Sequence, residues 1–486
     1  MNQDKTPLFS FLVNYIRNNP VQFHVPGHKK GVGMDREFFN FIGQNTLAID
    51  LTAIEPLDDL NHPTKMIKEA QDLAAFAFKA DYTYFSVQGT TTLIIAMIMS
   101  VCGPGDKLLV PRNVHKSVMS AIIFSGAIPI FIQPKFDVTL GVSHGISIET
   151  LREALDNHPD AKAVLFVNPT YFGFTTDLQQ VVELVHGYNI PVLVDEAHGA
   201  HLYFHDDLPV SAMQAGADVA ATSLHKLGGS LTQSSILNVK KGLVNVHRIQ
   251  SILSMLTTTS TSYILLASLD VARKRLATEG NELLIKVLHF AKSAREQINQ
   301  IDYLYCPGEE TVILNNLSDY DPTKIVVSVK ELGITGYAAE VWLRKKYNIE
   351  VELSDLFNIV CIITFGDTKK EVDLLILALN DLSQTFQSKN STKGSITIDI
   401  PKIPSLAVSP HDAFYSEIET LSIEKTIGKI IAEFVMVYPP GIPIFVPGEI
   451  IDEENLSLIQ RNVKAGLPIK GPKDKSIKTL CVVKES

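Results

Sequence analysis

The chain has 486 residues, of which 45% are hydrophobic and 20% charged, as in an ordinary soluble globular protein. This apolar content excludes a wholly disordered chain, and the length predicts two to four domains of roughly 100–200 residues each. With 43 Lys and Arg against 53 Asp and Glu, the net charge is −10, which argues against a nucleic-acid-binding protein.

Signals for export, membrane insertion and disulfide bonding are not visible in the sequence. Apolar runs such as Leu93–Cys102 fall short of the roughly 20 residues that span a bilayer. The N-terminus has no signal-peptide pattern, and the four cysteines form no C-x-x-C pair. We therefore expect a cytoplasmic protein with reduced thiols and with neither a membrane nor a nucleic-acid partner.

Hydrophobic patterns predict an α/β fold in the first half of the chain. The amphipathic stretch 177–188 predicts a helix between two strands, and three strand starts are evenly spaced, as in βαβ units. This rhythm predicts a parallel or mixed sheet. The predicted strands are Lys107–Val110, Ile128–Ile132, Ala163–Val167, Pro191–Val194 and Val219–Thr222.

The remainder of the chain predicts smaller α+β units. Residues 264–300 have the pattern of one long helix or two, and strands at Ile325–Val329 and Val360–Thr364 flank a helix near Tyr337–Lys346. The polar, Gly- and Ser-containing segment 387–395 is typical of a linker. The predicted domains are 1–265 (an N-terminal segment and a large domain), 266–386 (small α+β), the linker 387–395, and 396–486 (C-terminal).

A lysine follows the predicted strand at Val219, in the sequence Thr-Ser-Leu-His-Lys-Leu-Gly-Gly of residues 222–229. Ligands of open α/β sheets bind at the carboxyl ends of strands. Enzymes that use pyridoxal 5′-phosphate (PLP) hold its aldehyde on a lysine as a Schiff base. Lys226 is the candidate, with Ser223 and His225 as candidate phosphate ligands. A surface lysine beside a loop is an equally good interpretation of these residues alone.

An acid ends the preceding strand, in the sequence Val-Leu-Val-Asp-Glu-Ala-His of residues 192–198. Asp195 can pair with the protonated pyridine nitrogen and keep the ring an electron acceptor, and Ala197 is small enough to lie flat against a ring. An Asp that caps the next helix is the alternative. Because Asp195 and Lys226 lie one βαβ unit apart, their conjunction favours a cofactor site.

Two further segments extend the predicted site. Gly89, Thr90 and Thr91 precede an apolar helical run, and a helix start of this kind offers N–H groups and hydroxyls to a phosphate, although Gly-Thr-Thr also makes an ordinary cap. His115 follows the strand at Lys107, where its imidazole could stack on the cofactor ring and help to protonate the substrate carbon. A lone His in such a place is more often structural.

Metal and nucleotide sites are not predicted. His198, His201 and His205 match no zinc signature, and the glutamate of H-E-x-x-H is missing. The sequence contains neither a G-x-G-x-x-G fingerprint nor a P-loop.

Together these motifs resemble the bacterial ornithine/lysine/arginine decarboxylase family. The resemblance runs from residues 24–29 (His-Val-Pro-Gly-His-Lys) to 447–449 (Pro-Gly-Glu) and includes 438–443 (Tyr-Pro-Pro-Gly-Ile-Pro); the stretch 253–274 is similar to the Bacillus-type arginine-specific branch. It implies a PLP-dependent large domain of the aspartate-aminotransferase type (fold type I) with a mixed, mostly parallel sheet, followed by small and C-terminal α+β domains.

The resemblance also implies roles for individual residues. Lys226 would form the Schiff base, Asp195 would pair with the pyridine nitrogen, and Ala197 and His115 would pack on opposite ring faces. His198 stands where larger members of the family carry an aromatic residue, which leaves its contact to the ring hydroxyl open. The implied phosphate ligands are Gly89, Thr90, Thr91, Ser223 and His225, with Thr259 and Ser260 reaching the phosphate of a partner subunit.

The implied activity is decarboxylation of a basic amino acid, foremost L-arginine to agmatine and CO₂ in polyamine and spermidine biosynthesis, by a homodimer or higher oligomer with shared active sites. Lysine or ornithine decarboxylation, an aminotransferase and an inactive regulatory homologue remain alternatives. An aminotransferase usually needs an arginine for the α-carboxylate, and Arg344 in its polar helix is expected at the surface. A cationic substrate side chain needs a carboxylate. The candidates are Asp50, Glu55, Asp58, Asp59 and Glu449, whose alternative is a solvated acidic loop.

Overall fold

A computed structural model describes residues 1–315, 317–387, 400–437, 442–464 and 469–485 and shows an α/β protein. The helices are α1 (Pro7–Arg17), α2 (Arg36–Ile42), α3 (Gln44–Ala48), α4 (Met66–Ala77), α5 (Gly89–Val101), α6 (Lys116–Ser125), α7 (Ile148–Asn157), α8 (Leu178–His186), α9 (Ala212–Ala215), α10 (Leu224–Leu227), α11 (Val246–Leu256), α12 (Tyr263–Ile298), α13 (Glu309–Leu314), α14 (Gly336–Tyr347), α15 (Lys369–Gln387), α16 (Pro410–Tyr415) and α17 (Glu453–Lys464).

The strands are mostly short. The side chains are largely buried in the strands Ala163–Val167, Val192–Asp195, Val219–Thr222 and Ser235–Val239. In chain order, the strands are β1 (Tyr82–Ser86), β2 (Lys107–Pro111), β3 (Ile128–Ile132), β4 (Phe136–Asp137), β5 (Val142–Ser143), β6 (Ala163–Val167), β7 (Phe174–Thr175), β8 (Val192–Asp195), β9 (Val219–Thr222), β10 (Ser235–Val239), β11 (Asp319–Tyr320), β12 (Lys324–Ser328), β13 (Leu353–Ser354), β14 (Asn358–Ile362), β15 (Ile418–Ser422), β16 (Val435–Val437), β17 (Pro443–Phe445), β18 (Ile469–Lys470) and β19 (Thr479–Val483).

Residues 1–101 and 191–282 form one compact unit. Its strands lie in the order β1-β10-β9-β8, with β10 antiparallel to both β1 and β9, and β8 parallel to β9. Strands β1, β9 and β8 therefore run in the same direction, and their carboxyl ends meet at one edge. Helix α5, apolar on nearly all sides and largely buried, follows β1 at that edge.

Residues 102–190 and 283–486 form the second unit. Strands β6, β2 and β3 are parallel neighbours, and β12, β14 and β13 form an antiparallel sheet. An apolar core that includes Val327, Leu343 and Leu379 packs this antiparallel sheet with helices α14 and α15. A separate apolar cluster, with Phe445 and Ile459 in its interior, holds the C-terminal strands and α17 together.

The five strands predicted in the first half of the chain are confirmed within one residue at each end. The helix predicted at 177–188 is also confirmed and is observed as Leu178–His186, which is one residue shorter at its start and two at its end. Residues 264–300 form the single helix α12. The predicted domain boundaries stay a prediction, and residues 388–395 of the linker and the motif residues 438–441 lie outside the described residues. Among the helices that the structure describes, each is too short or too polar for a bilayer crossing.

Candidate active site

Lys226 lies on the short helix α10, just after the carboxyl end of strand β9. Its side chain is exposed, and its Nζ lies 2.9 Å from Nε2 of His198. His198 follows the end of β8, the neighbouring parallel strand. The structure therefore brings this amine and imidazole together at the sheet edge where ligands of α/β proteins bind.

Asp195 is the last residue of β8 and is buried. Its Oδ1 accepts a hydrogen bond from the backbone N–H of Ala197 at 3.2 Å. Desolvation raises the pKa of Asp195 to about 6, although that hydrogen bond and the charge of Lys226 act in the opposite direction. A buried carboxylate in this state is stabilised by a cationic partner, so the end of β8 is suited to a cation.

Glu196, which no sequence motif indicated, is fully buried next to Asp195. Its carboxylate accepts hydrogen bonds from the Tyr203 hydroxyl at 2.5 Å, the Ala212 N–H at 2.7 Å and the Thr222 hydroxyl at 3.1 Å. Burial raises the pKa of Glu196 to about 7. Since Thr222 ends β9, this carboxyl group ties the end of β8 to the end of β9.

Buried hydroxyls meet beside the start of helix α5. Thr90 Oγ1 is hydrogen-bonded to Ser223 Oγ and lies 2.9 Å from Ser235 Oγ. Gly89 begins the helix with φ of +73°, a left-handed conformation that favours glycine, and a Cβ built there would meet open space. Thr91 follows with an exposed side chain. The Gly89 N–H donates to the Gln233 carbonyl at 2.8 Å, whereas the remaining N–H groups of a first helical turn lack partners within the helix and suit an anion.

His225 is placed at the same edge and is held by the backbone. Its Nδ1 lies 2.9 Å from the carbonyl oxygen of Ser234, which can only accept, so Nδ1 carries the ring proton. Burial lowers the pKa of His225. The ring is therefore neutral at pH 7 and its Nε2 is an acceptor. A phosphate contact through Nε2 requires the ring to gain a proton, which a nearby anion favours.

Gln88 links the start of α5 to the loop after α11. Its Nε2 donates to the Leu256 carbonyl at 3.2 Å, and its Oε1 accepts from the Thr258 N–H at 3.0 Å. Thr259 and Ser260 next to this anchor are exposed. Their predicted contact with a partner subunit stays a prediction.

His115 belongs to the second unit, where it caps the N-terminus of helix α6. Its Nδ1 accepts from the Ser117 N–H at 3.3 Å and lies 2.8 Å from the Ser117 hydroxyl. In the neutral ring, the proton is therefore on Nε2. The side chain is exposed, and its predicted stacking on a cofactor ring stays a prediction.

The acidic segment 50–59 contains carboxylates in different surroundings. Asp58 is buried and accepts hydrogen bonds from backbone N–H groups within residues 64–68, so it caps helix α4. Asp59 accepts from the backbone N–H of Asn61 at 2.9 Å. The role of Asp58 is thus structural in this segment.

Two other acids of the segment retain more accessible side chains. Asp50 Oδ2 lies 3.1 Å from Nε2 of His28, and its side chain is 33% exposed. The Glu55 side chain is 91% exposed and lies 3.6 Å from the Lys65 amine. A half-buried carboxylate held by a neighbour is better suited to bind a ligand than a fully solvated one.

Glu449, the remaining carboxylate candidate, forms a buried ion pair with Arg112 in the second unit, at 2.6 Å. The expectation that Arg344 lies at the surface is confirmed: its side chain is 43% exposed and pairs with Glu340 and Glu350. Arg344 therefore forms surface ion pairs with two nearby glutamates.

Comparison with protein families decides what the chain is related to. Residues 6–371 match the model of the Orn/Lys/Arg decarboxylase major domain, and residues 397–462 match that of the Orn/Lys/Arg decarboxylase C-terminal domain. The chain belongs to the Orn/Lys/Arg decarboxylase family. The resemblance inferred from the motifs is thereby confirmed.

Relatives within the Orn/Lys/Arg decarboxylase family differ widely in their identity to the chain. It is 65% identical to the arginine decarboxylase of Bacillus anthracis, over 100% of this chain and 98% of that protein. It is 59% identical to the arginine decarboxylase of Bacillus subtilis, over 100% of this chain and 99% of that protein. A lysine decarboxylase of Pseudomonas aeruginosa is 26% identical, over 93% of this chain and 75% of that protein.

Solved structures support the same assignment at the level of fold. The lysine decarboxylase of Francisella novicida superposes with a TM-score of 0.86 at 22% identity, over 99% of this chain and 81% of that one. An alanine–glyoxylate aminotransferase of Nostoc sp. superposes with a TM-score of 0.52 at 21% identity, over 65% of this chain and 86% of that one. The predicted aminotransferase-like α/β fold is confirmed.

Proposed function

We propose that this chain is a PLP-dependent decarboxylase that converts L-arginine to agmatine and CO₂. The observation that carries this proposal is the 59–65% identity, over the whole chain, to proteins named arginine decarboxylase. The lysine decarboxylase of P. aeruginosa is only 26% identical, which favours arginine over lysine. The surface position of Arg344 removes the support for an aminotransferase that this residue would have given.

The donor groups of the first unit fit PLP by their chemistry. The helix start at Gly89, with the hydroxyls of Thr90 and Ser223, would hold the phosphate. The buried carboxylate of Asp195 would hold the ring nitrogen in its protonated form, and the exposed amine of Lys226 would hold the aldehyde. The proposal is supported by phosphate-binding donors, a buried carboxylate and an amine that lie on three chain segments of this unit.

When bound, PLP supplies an electron-accepting ring that takes up the electron pair released as CO₂ leaves the substrate Cα. Asp195 would keep the ring nitrogen protonated, and the small side chain of Ala197 would pack against the ring. His198 Nε2 lies 2.9 Å from the Lys226 amine, which would move a proton to Cα when cofactor and substrate are bound. His115, which carries its proton on Nε2, is proposed for the opposite face of the ring.

The cationic side chain of arginine requires a carboxylate, ideally in a bidentate pair. Asp50, partly buried beside His28, is the candidate that we favour, and Asp59 and Glu55 remain alternatives. Asp58 is engaged in capping α4, and Glu449 is engaged by Arg112, so neither is part of the proposal.

Product analysis of the purified holoenzyme tests the substrate. Supplied with arginine, lysine and ornithine in parallel at equal concentration, it is expected to release agmatine at least about tenfold faster than cadaverine or putrescine, a difference of about 1.4 kcal/mol in transition-state binding. Faster formation of cadaverine would overturn the arginine assignment while keeping the decarboxylase. If no amine forms in cofactor-saturated protein, the decarboxylase assignment is wrong and the regulatory homologue or the aminotransferase takes its place.

We further propose a homodimer, located in the cytoplasm and serving polyamine biosynthesis. Large apolar side chains within residues 21–41 are strongly exposed in the single chain, including Phe23 at 95% and Phe41 at 87%, as expected of an interface. Light scattering should give twice the 53.6 kDa of one chain. Phe41→Asp should shift the mass towards one chain, and Phe76→Asp on α4 should not. A wild-type mass of one chain at micromolar concentration contradicts the dimer.

A further inference from the structure

Arg112 immediately follows strand β2 and lies three residues before His115. Its guanidinium is 1% exposed and donates hydrogen bonds to residues 443–449. Nε donates to the Pro443 carbonyl at 3.0 Å, and Nη2 donates to the Ile444 carbonyl at 3.1 Å. The guanidinium plane also lies 4.5 Å from the centre of the Phe131 ring. A C-terminal segment is thus fixed to the end of β2.

Glu449 completes this contact as a bidentate partner. Its Oε1 and Oε2 accept from Nη1 and Nη2 of Arg112 at 2.6 and 2.8 Å, and Oε2 also accepts from the Val446 N–H at 2.8 Å. Both side chains of the pair are about 1% exposed. Because each charge is removed from water, loss of one partner leaves the other uncompensated, and the pair therefore specifies one arrangement of the two segments.

A second C-terminal contact holds the other end of the same helix. Helix α6 begins at the residue after His115, and helix α16 packs against it. His411 on α16 has its Nδ1 at 2.7 Å from the carbonyl oxygen of Ile123, in the last turn of α6. The stretch from Arg112 to Ser125, which carries His115, is therefore held at both ends by residues beyond 400.

We propose that Arg112 and Glu449 are positioning residues that fix the turn 112–116 and thereby set the place of the His115 ring in the decarboxylase site. The proposal rests on the proposed function, in which His115 contacts the cofactor. It also gives the buried carboxylate of Glu449 a task other than binding the substrate. Glu449 acts on His115 indirectly, through Arg112, which lies three residues before His115 in the turn.

Steady-state kinetics of Glu449→Gln in the holoenzyme test the proposal. The kcat for arginine should fall by about 10- to 100-fold, because a small misplacement of a reacting group costs this much, whereas KM and bound PLP should change less than about twofold. Glu454→Gln is the matched control: this acid pairs with Lys402 at the surface of α17 and should retain wild-type kinetics. A large rise in KM with unchanged kcat would instead make Glu449 a substrate ligand and overturn the proposal.

A double substitution separates positioning from general weakening of the fold. In a His115→Ala background, Glu449→Gln should lower kcat by no more than about twofold, since the residue through which it acts is gone. If the two losses multiply, the proposal is wrong. If Glu449→Gln is insoluble, Arg112→Lys and Glu449→Asp replace it in these experiments. Both keep the charges but lose the bidentate geometry, and the same changes in kcat and KM are expected.

Ethoxyformylation of His115, followed by peptide mass spectrometry, needs no turnover. The rate of modification by diethyl pyrocarbonate should rise at least about threefold in Glu449→Gln and stay unchanged in Glu454→Gln, because a loosened turn releases the Nδ1 lone pair from the Ser117 N–H more often. An unchanged rate contradicts the proposal. If modification is faster in Glu449→Gln but the wild-type enzyme releases no agmatine, the proposed function fails and the positioning of His115 by the ion pair stands.

Discussion

Lys226→Ala is expected to lower the rate of agmatine formation by about 10³-fold or more. The amine is the group that would hold the cofactor and move a proton at Cα, and a positioned acid–base group alone contributes about 10²- to 10⁴-fold. Reduction of the wild-type holoenzyme with borohydride, followed by peptide mapping, should place the pyridoxyl group on the Lys226 peptide. The variant should carry no such label.

Lys286→Ala is the matched control for this experiment, since Lys286 is an exposed lysine of helix α12. It should keep both activity and the label at Lys226. A pyridoxyl group on another lysine in the wild-type protein, or full activity of Lys226→Ala, would show that the amine at the end of β9 does not hold the cofactor.

Asp195→Asn should weaken PLP binding and lower kcat by about 10²- to 10³-fold. The substitution preserves size but removes the negative charge that would keep the ring nitrogen protonated, and loss of one electrostatic partner in a dry site costs this much. Fluorescence titration of cofactor-free protein with PLP measures the binding, and kcat is measured at saturating PLP. Asp195→Glu, which keeps the charge on a longer side chain, should recover part of both.

Glu196→Gln provides a matched control for Asp195→Asn, because it removes the adjacent buried carboxylate.

The same two carboxyl groups make the stability of the cofactor-free protein depend on pH. Burial raises the pKa of Asp195 to about 6 and of Glu196 to about 7. In the unfolded chain both ionise near their usual values of about 4. The stability contributed by the protonated carboxyls is therefore present below about pH 4 and is lost as the pH rises to about 7.

The free energy of unfolding of the cofactor-free wild type should therefore fall between pH 4 and pH 8. In each of the two variants, Asp195→Asn and Glu196→Gln, this fall should be smaller by on the order of 3 kcal/mol. Urea unfolding at the two pH values measures this. Only Asp195→Asn should weaken PLP binding by more than about tenfold. If Glu196→Gln weakens PLP binding equally, Asp195 is not the specific partner of the ring nitrogen.

The elements that hydrophobicity predicts well are those whose buried residues are apolar. Strands β6, β8 and β9 are near-continuous runs of Val, Leu and Ala, and their ends were placed within one residue. Strand β10 was missed because it buries polar side chains. The Ser235 hydroxyl lies 2.9 Å from that of Thr90, and Asn238 Oδ1 accepts from the Thr83 hydroxyl at 2.6 Å. Such pairs join residues about 150 positions apart, so no local pattern contains them.

The residues of the candidate site also differ in whether the local sequence indicates them. Lys226 and His198, each at the end of a predicted strand, were named from the sequence, and the structure brings them to 2.9 Å. Glu196 was not singled out, because its three donors come from residues 203, 212 and 222 and meet it only after folding. Glu449 was placed among acids for the substrate, since its guanidinium partner precedes it by 337 residues.

That separation has a consequence for synthesis of the chain on the ribosome. At about 5–20 residues per second, Arg112 is made roughly 20–70 s before Glu449. During this interval β2 can pair with β3, but the guanidinium at its end lacks the carboxylate and the two carbonyl groups that later bury it. A nascent chain of fewer than about 450 residues must therefore keep this charge hydrated or shielded by a chaperone, and the last step in completing the unit waits for the C-terminal segment to emerge.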